Sequence, residues 1–149
     1  MMKVDELVVL MADDDEDDRM LAGRAWKKCR FTNDLVFVHD GEELMEYLHR
    51  EGKYAEEGKA PRPGMILLDL NMPRKDGREA LREIKADPKL RKIPIVVLTT
   101  SKAEEDILRT YDLGVNSFIT KPITFDSLVT TLETLGNYWF RIVKLPIEE

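Results

Sequence analysis

Short apolar runs recur along the chain, and the segments between them carry apolar residues at every third or fourth position. Four runs span residues 7–12, 65–68, 95–98 and 117–119, and a weaker fifth spans residues 35–38. Runs without alternating polar residues are typical of strands covered on both faces, because both sides of such strands pack against a core. The intervening spacing is that of amphipathic helices. The chain therefore predicts strand and helix in alternation, repeated five times.

This alternation predicts an α/β fold, a doubly wound sheet of five parallel strands with helices on both faces. The predicted helical faces consist of Leu21, Ala22, Ala25 and Cys29; Leu44, Tyr47 and Leu48; Leu81 and Ile84; Ile107, Leu108 and Tyr111; and Leu128, Leu132, Leu135, Trp139 and Ile142. Residues 51–64 lack periodicity and predict a surface loop before the third strand. We expect a single domain over residues 1–149, with its core over residues 7–142 and no output domain.

Composition narrows the classes of function. Hydrophobic residues make up 43% and charged residues 35% of the 149 residues, the balance of a soluble globular protein. The net charge of −6 argues against nucleic acid and anionic membranes as partners, because both attract basic surfaces. Apolar runs too short to cross a bilayer and the lack of a signal segment predict a cytoplasmic location. A single cysteine, Cys29, excludes an internal disulfide and a zinc site built on several thiolates.

Polar side chains follow four of the predicted strands at the point where each strand ends. They are Asp13 and Asp14 after the first strand, Asp69 after the third, Thr99 after the fourth and Lys121 after the fifth. The carboxyl ends of parallel strands share one edge of the sheet, and the strand order 2-1-3-4-5 would bring these four strands side by side. We therefore expect three carboxylates, a hydroxyl and an ammonium group to converge at that edge.

These residue types favour one kind of chemistry. Clustered carboxylates raise one another's pKa unless a cation lies between them, and oxygen ligands on loops suit Mg²⁺. Mn²⁺ is a second candidate. Mg²⁺, a lysine and a hydroxyl together neutralise a phosphoryl group during transfer, and aspartate is a known nucleophile for that transfer. The chain therefore predicts Mg²⁺-assisted phosphorylation of one aspartate.

The strand-end residues also belong to a set of motifs. These are Asp13-Asp14, Asp69-Leu70-Asn71-Met72-Pro73 followed by Asp76-Gly77, Thr99, and Lys121-Pro122. Their order and spacing resemble the receiver domain of two-component response regulators, over residues 7–142. The resemblance implies a flavodoxin-like fold and a phosphorylatable switch of protein contacts, with no turnover of an external substrate. The Asp76-Gly77-Arg78-Glu79 motif and the ending from Trp139 to Pro146 are most similar to stand-alone receivers that serve phytochrome-type histidine kinases.

The resemblance implies a role for each matching position in the chemistry. Asp69 would accept the phosphoryl group from the phosphohistidine of a sensor histidine kinase. Lys121 would pair with Asp69 at rest and with the phosphoryl oxygens afterwards. The implied metal ligands are the carboxylates of Asp14 and Asp69, the backbone carbonyl of Asn71 and, through an ordered water, Asp13.

The same resemblance implies a switch at the ends of the fourth and fifth strands. Thr99 would donate its hydroxyl to the phosphoryl group, and the rotamer of Phe118 would report the resulting movement. Thr100 is bulkier than the residue often found at this position in the family, and it would restrict access to the phosphoryl group. The peptide bond between Lys121 and Pro122 would be cis, as in the family.

The acidic run over residues 13–18 allows two registers for the metal pair. A slip of one residue would make Asp14 and Asp15 the pair, although the apolar run that ends at Ala12 favours Asp13 and Asp14. Residues 15–18 are better interpreted as a solvated acidic start of a helix, because carboxylates stabilise the positive end of a helix.

Two alternative functions are considered beside this hypothesis, and a homodimer is predicted as the oligomeric state. The rivals are an unphosphorylated adaptor with the same fold and an aspartyl-phosphate phosphatase. Asn71 disfavours the phosphatase, because an amide cannot act as the general acid that such enzymes carry two residues after the nucleophile. The crowded apolar residues of the last stretch predict a homodimer through the last helix and its neighbours; they are Trp139, Phe140, Ile142, Val143 and Leu145.

Overall fold

The structure, a computed structural model, describes residues 7–70, 72, 74–99, 117–122 and 124–138. Its strands are β1 (Val8–Ala12), β2 (Leu35–Val38), β3 (Pro63–Asp69), β4 (Ile95–Thr99) and β5 (Ser117–Thr120). The helices within the described ranges are α1 (Glu16–Cys29), α2 (Gly41–His49), α3 (Gly77–Ala86) and α4 (Phe125–Asn137), with a short 3₁₀ helix at Gly52–Tyr54. None of these helices is long and apolar enough to span a membrane. The predicted helix around Ile107, Leu108 and Tyr111 lies outside the described residues, as do Trp139 and Ile142.

The strands form one parallel sheet in the order β2-β1-β3-β4-β5, which confirms the predicted topology. In this register Ala12 of β1 lies beside Leu68 of β3, and Asp69 lies beside Leu98 of β4. The neighbouring strands therefore end at the same edge of the sheet, and the residues that follow them start from adjacent positions.

Apolar side chains cover the sheet on both faces, because successive residues of a strand point to opposite sides. One face packs against α2 and α3, and its buried residues include Leu10, Leu44, Leu68, Leu81 and Ile84. The other face packs against α1 and α4, and its buried residues include Met11, Ala25, Trp26, Leu67 and Leu132. Each fully buried leucine contributes about 1.5–3 kcal/mol. Strand β3, which carries Asp69, is thus held from both sides.

Each of the four described α-helices begins with a polar side chain that accepts hydrogen bonds from backbone N–H groups of its first turn. The capping residues are Asp15, Asp40, Asp76 and Thr124. A cap of this kind typically stabilises a helix by about 1 kcal/mol. Asp15 and Asp76 begin α1 and α3 shortly after β1 and β3, so their capping also shapes the loops at the carboxyl edge of the sheet.

The loop predicted over residues 51–64 is partly structured. It contains the 3₁₀ helix, and β3 begins within it at Pro63. The hydroxyl of Tyr47 in α2 donates to the carbonyl of Pro61 over 2.8 Å, and burial raises the pKa of Tyr47 to about 12. The rings of Tyr47 and Tyr54 meet edge to face with centroids 5.1 Å apart. These contacts fasten the loop to α2.

Candidate functional site

Three carboxylates meet at the carboxyl edge of the sheet. Asp13 follows β1 and is fully buried, Asp69 is the last residue of β3 and is 5% exposed, and Asp14 is exposed. One carboxylate oxygen from each lies within 4.8 Å of the other two. The structure therefore brings together the acidic residues that the strand-end pattern singled out.

Lys121, directly after β5, reaches into this group of carboxylates. Its Nζ atom donates hydrogen bonds to Asp18 Oδ2 over 2.9 Å and to Asp69 Oδ2 over 3.1 Å. It also lies 2.9 Å from Asp13 Oδ2, an ion pair that lacks hydrogen-bond alignment. One ammonium group thus contacts three carboxylates. In the part of the chain that the structure describes, Asp13 Oδ2 has no aligned hydrogen-bond donor.

Burial and charge act in opposite directions on the two innermost groups. Burial raises the pKa of Asp13, and the ammonium of Lys121 beside it and the hydrogen bond from the backbone N–H of Asp15 offset that effect only in part. Burial lowers the pKa of Lys121, but the carboxylates of Asp13, Asp18 and Asp69 outweigh it, so the pKa of Lys121 is raised above its ordinary value. Lys121 is therefore a permanent cation, while the charge of Asp13 is poorly compensated.

Local backbone contacts hold Asp13 in place. Its Oδ1 accepts from the N–H of Asp15 over 2.9 Å, and its own N–H donates to the carbonyl of Val38 over 3.1 Å. The guanidinium of Arg19 donates to the carbonyl of Asp13 over 2.8 Å. With Oδ1 and the backbone satisfied, Oδ2 is the atom that Asp13 presents to the site.

The loop after β3 is drawn close to the strand. The N–H of Gly77 donates to the carbonyl of Leu70 over 3.0 Å. A Cβ atom at Gly77 would lie 2.4 Å from the carbonyl oxygen of Asp69, so no larger residue fits there without a backbone shift. The Asp-Gly pair at Asp76 and Gly77 therefore has a steric role as well as a capping role.

Several residues singled out from the sequence lie at the limits of the described chain. Asn71 and Thr100 lie outside it, and for Thr99 and Phe118 it covers the backbone but not the side chain. The prediction of a cis bond before Pro122 is wrong, since the described residues contain no cis peptide bond. A trans bond is favoured intrinsically by about 0.5–1 kcal/mol before proline, and the surroundings of Lys121 do not overturn that preference.

Asp18 is a site residue that the sequence pattern did not single out. The interpretation of residues 15–18 as a solvated helix start agrees with the structure for Asp15, which caps α1. Asp18 instead turns its carboxylate to Lys121. The sequence offers no signal that separates Asp18 from Asp17, because both are aspartates in the same acidic run.

Comparisons with known proteins bear on the identity of this site. The family model described as the response regulator receiver domain matches residues 9–133. The chain belongs to the response regulator receiver family. The response regulator Rcp1 of a Synechocystis species is 40% identical over 139 residues, which cover 93% of this chain and 92% of that protein. Receiver domains accept phosphoryl groups from histidine kinases in two-component signalling, so phosphotransfer is the expected function of this receiver.

Solved structures of relatives agree with the fold. The phosphorylated cyanobacterial phytochrome response regulator RcpA superposes with a TM-score of 0.87 at 42% identity, covering 95% of this receiver and 99% of that chain. The Mn²⁺-bound form of the response regulator Rcp1 gives a TM-score of 0.85 at 39% identity, with 95% and 99% covered. The acidic group and this metal-bound relative together indicate a divalent-cation site.

The residues of this receiver fit such a cation on their own geometry. Three carboxylate oxygens lie within 4.8 Å of one another, and the buried Oδ2 of Asp13 has no aligned donor among the described residues. A cation within this group would supply the missing positive charge, since one lysine faces three carboxylates. Hard oxygen donors are the ligands that Mg²⁺ and Mn²⁺ take.

Proposed function

We propose that this receiver accepts a phosphoryl group on Asp69 from the phosphohistidine of a sensor histidine kinase, with Mg²⁺ as the cation. The observation that carries the proposal is the contact between Lys121 Nζ and Asp69 Oδ2 at 3.1 Å, inside a group of carboxylates with more negative than positive charge. Asp69 is the carboxylate that both ends a central strand and contacts the lysine. Asp69 therefore lies at the carboxyl edge of the sheet with the Lys121 ammonium beside it.

The transfer exchanges one bond to phosphorus for another. A carboxylate oxygen of Asp69 forms a bond to phosphorus while the bond from phosphorus to the histidine nitrogen breaks, and that electron pair returns to the imidazole. Lys121 stays charged and moves its donor from the carboxylate to a phosphoryl oxygen. Asp13, Asp14, Asp69 and the carbonyl of Asn71 would hold the cation, which supplies further neutralisation of the phosphoryl oxygens.

The switch would follow from new contacts to the phosphoryl group. We assign the hydroxyl of Thr99 as the donor that approaches it, Phe118 as the side chain that changes rotamer, and Thr100 as the residue that limits access. Thr99 ends β4 beside Thr120 of β5, next to the strand that leads to Lys121, which supports this assignment. Phosphorylation would then bias a two-state equilibrium through Thr99 and Lys121.

The partners follow from the relatives. RcpA is described as a phytochrome response regulator, which supports a phytochrome-type histidine kinase as the donor of the phosphoryl group. Mn²⁺ would substitute for Mg²⁺, as the Mn²⁺-bound form of Rcp1 supports. A homodimer through the last helix and its neighbours stays a prediction, because Trp139 and the residues after it lie outside the described chain.

We further propose that the receiver, over residues 7–142, is a cytoplasmic switch that turns over no external substrate. The rival is an adaptor that keeps the fold without being phosphorylated. The paired geometry of Asp69 and Lys121 favours the switch, since an adaptor has no need to hold a lysine against a strand-end carboxylate.

Intact-mass spectrometry after incubation with acetyl phosphate and Mg²⁺ tests the proposal. We expect one added phosphoryl group on the native protein and none with Asp69→Asn, which preserves shape and removes the nucleophile, or with EDTA present. Asp17→Asn, a change of equal charge at an exposed position of α1, is the matched control and should be labelled like the native protein. No adduct under conditions that label another receiver would favour the adaptor.

A further inference from the structure

Asp18 is an acidic residue outside the set that the receiver motifs identify. It is the third residue of α1, which Asp15 caps, and its side chain is 41% exposed. Its Oδ2 accepts a hydrogen bond from Lys121 Nζ over 2.9 Å, a shorter contact than the 3.1 Å between Lys121 and Asp69. The lysine at the site is therefore held from the helix side as well as from the strand side.

The hydrogen bonds that Lys121 donates determine whether Asp13 Oδ2 also accepts one. Both hydrogen bonds that the ammonium makes to carboxylates go to Asp18 and Asp69. Asp13 Oδ2, although 2.9 Å from Nζ, receives no aligned hydrogen bond. If Asp18 were absent, the nearest remaining acceptor for the free N–H of Lys121 would be this buried oxygen.

We propose that Asp18 is a positioning residue, which holds Lys121 beside Asp69 and thereby keeps Asp13 Oδ2 available to a divalent cation. This inference rests on the proposed function for the identity of the site, but it concerns cation binding rather than phosphorylation. Without Asp18, Lys121 turns to Asp13 and competes with the cation for the same oxygen. The loss of Asp18 therefore acts on the cation through Lys121.

Mn²⁺ binding measured by electron paramagnetic resonance of the free ion tests this in the unphosphorylated protein. We expect Asp18→Ala to weaken Mn²⁺ binding by about tenfold, the scale on which residues that orient a metal site act. Asp18→Glu, which keeps a carboxylate that can reach Lys121, should restore most of the affinity. Asp17→Ala removes the same charge from the same helix turn at an exposed position, and should change the affinity by less than about twofold.

A double-mutant cycle with Lys121→Met separates positioning from a general charge effect. If Asp18 acts through Lys121, Asp18→Ala added to Lys121→Met should leave Mn²⁺ affinity within about twofold of Lys121→Met alone. An undiminished effect of Asp18→Ala in that background, or an equal effect of Asp17→Ala, would overturn the inference. Circular dichroism melts of each variant establish that the fold is retained.

The two proposals fail separately. If Asp18→Ala and the cycle behave as expected but Asp69 takes up no phosphoryl group, the cation inference stands and the phosphoacceptor proposal fails. If Asp69 is phosphorylated but Asp18→Ala binds Mn²⁺ like the native protein, the positioning role of Asp18 is wrong and the proposed function stands.

Discussion

Two clusters of acidic and basic side chains lie near the carboxyl edge of the sheet, and they differ in their balance of charge. The strand-end cluster contains Asp13, Asp14, Asp18, Asp69 and Lys121. The α2 cluster contains Asp40, Glu43, Lys53, Tyr54 and Arg74. In the first cluster a single lysine contacts three carboxylates, whereas in the second each carboxylate has a cation of its own.

The α2 cluster satisfies its carboxylates fully. Asp40 Oδ2 accepts a hydrogen bond from Arg74 Nε over 2.9 Å and forms an ion pair with Arg74 Nη2 at 2.7 Å, and its Oδ1 caps α2. Glu43 Oε2 lies 2.6 Å from Lys53 Nζ and accepts from the Tyr54 hydroxyl over 2.8 Å. Arg74 adopts a left-handed backbone, with φ at 61°, which is unusual for a residue with a side chain. The ion pair with Asp40 helps to hold this conformation in the loop after β3.

The pKa values of two carboxylates show the difference. Burial acts to raise the pKa of Glu43, but Lys53, the Tyr54 hydroxyl and the N–H of His39 together lower it below its ordinary value. Burial also raises the pKa of Asp13, and there the neighbours offset it only in part. Burial of an acid therefore does not by itself mark a binding site. What indicates a binding site is a group of carboxylates with too little positive charge and too few hydrogen-bond donors around it. A bound cation can compensate for that shortage of positive charge.

The largest expected difference between the two clusters is the effect of removing their lysines on the rate of Asp69 phosphorylation. We expect Lys121→Met to slow phosphorylation of Asp69 by about a hundredfold, the scale on which one group that stabilises transferring charge acts. Lys53→Met, the matched change in the α2 cluster, should leave the rate within about twofold. The measurement is the initial rate of labelling by acetyl phosphate with saturating Mg²⁺. Equal rates for both variants would contradict the assignment of Lys121.

Breaking the α2 cluster should affect stability instead. Asp40→Ala removes the cap of α2 and the partner of Arg74, and we expect the free energy of unfolding to fall by about 2 kcal/mol. Glu42→Ala, at a side chain that is 57% exposed and 3.9 Å from Arg74, should change it by less than about 0.5 kcal/mol. Urea unfolding measures both variants. A loss of stability as large for Glu42→Ala would show that the contacts of the buried Asp40 carboxylate have no special weight.

A divalent cation should stabilise only the strand-end cluster. Because a ligand that binds the folded state stabilises it, Mn²⁺ at ten times its dissociation constant should add about 1.4 kcal/mol. Asp13→Asn should abolish this gain, and Glu43→Gln should keep it. Thermal melts with and without Mn²⁺ measure the shift, and the same gain in Asp13→Asn would place the cation elsewhere.

The two carboxylates should contribute to stability with opposite dependence on pH. The lowered pKa of Glu43 gives stability that is present above its unfolded value of 4.5 and is lost as the pH falls through its folded pKa. The raised pKa of Asp13 gives relative stability below its unfolded value of 3.8, which is lost as the pH rises through its folded pKa.

Carboxyl carbon chemical shifts in metal-free protein check this contrast. The Glu43 carboxyl should titrate below its ordinary pKa of 4.5 and the Asp13 carboxyl above its ordinary pKa of 3.8, and a shift of either pKa in the other direction would contradict the contrast. Glu43→Gln should also flatten the loss of unfolding free energy at acid pH, which is the smallest effect expected here.

The predictable part of the site follows from strand position. Asp13, Asp69 and Lys121 each stand at or just past the end of an apolar run, and parallel strands bring such positions to one edge whatever the details of packing. With the strands in the order 2-1-3-4-5, Asp13 and Asp69 come within hydrogen-bond or ion-pair distance of Lys121 Nζ. The alternation of strands and helices predicted the parallel sheet, and the resemblance to receivers implied its flavodoxin-like order.

The unpredicted part depends on helices and loops. Asp18 and Lys121 are 103 positions apart, and Asp40 and Arg74 are 34 apart. Asp18 reaches Lys121 because α1 begins directly after its cap, Asp15, which places Asp18 in the first turn of the helix beside the carboxyl edge of the sheet. Neither the acidic run nor the residue types distinguish Asp18 from Asp17, which stays exposed. The same limit applies to Pro122, where family resemblance indicated a cis bond and the structure has a trans bond.

The sequence by itself determined the alternation of strands and helices and the strand-end residues of the site, because hydrophobic periodicity is a local property and the carboxyl ends of parallel strands share one edge of a sheet. Only the tertiary structure decided which carboxylates share Lys121 and which oxygen of Asp13 is left without a donor. Those pairings depend on distances of a few ångströms between distant parts of the chain, and the strength of a charged contact changes steeply over that range.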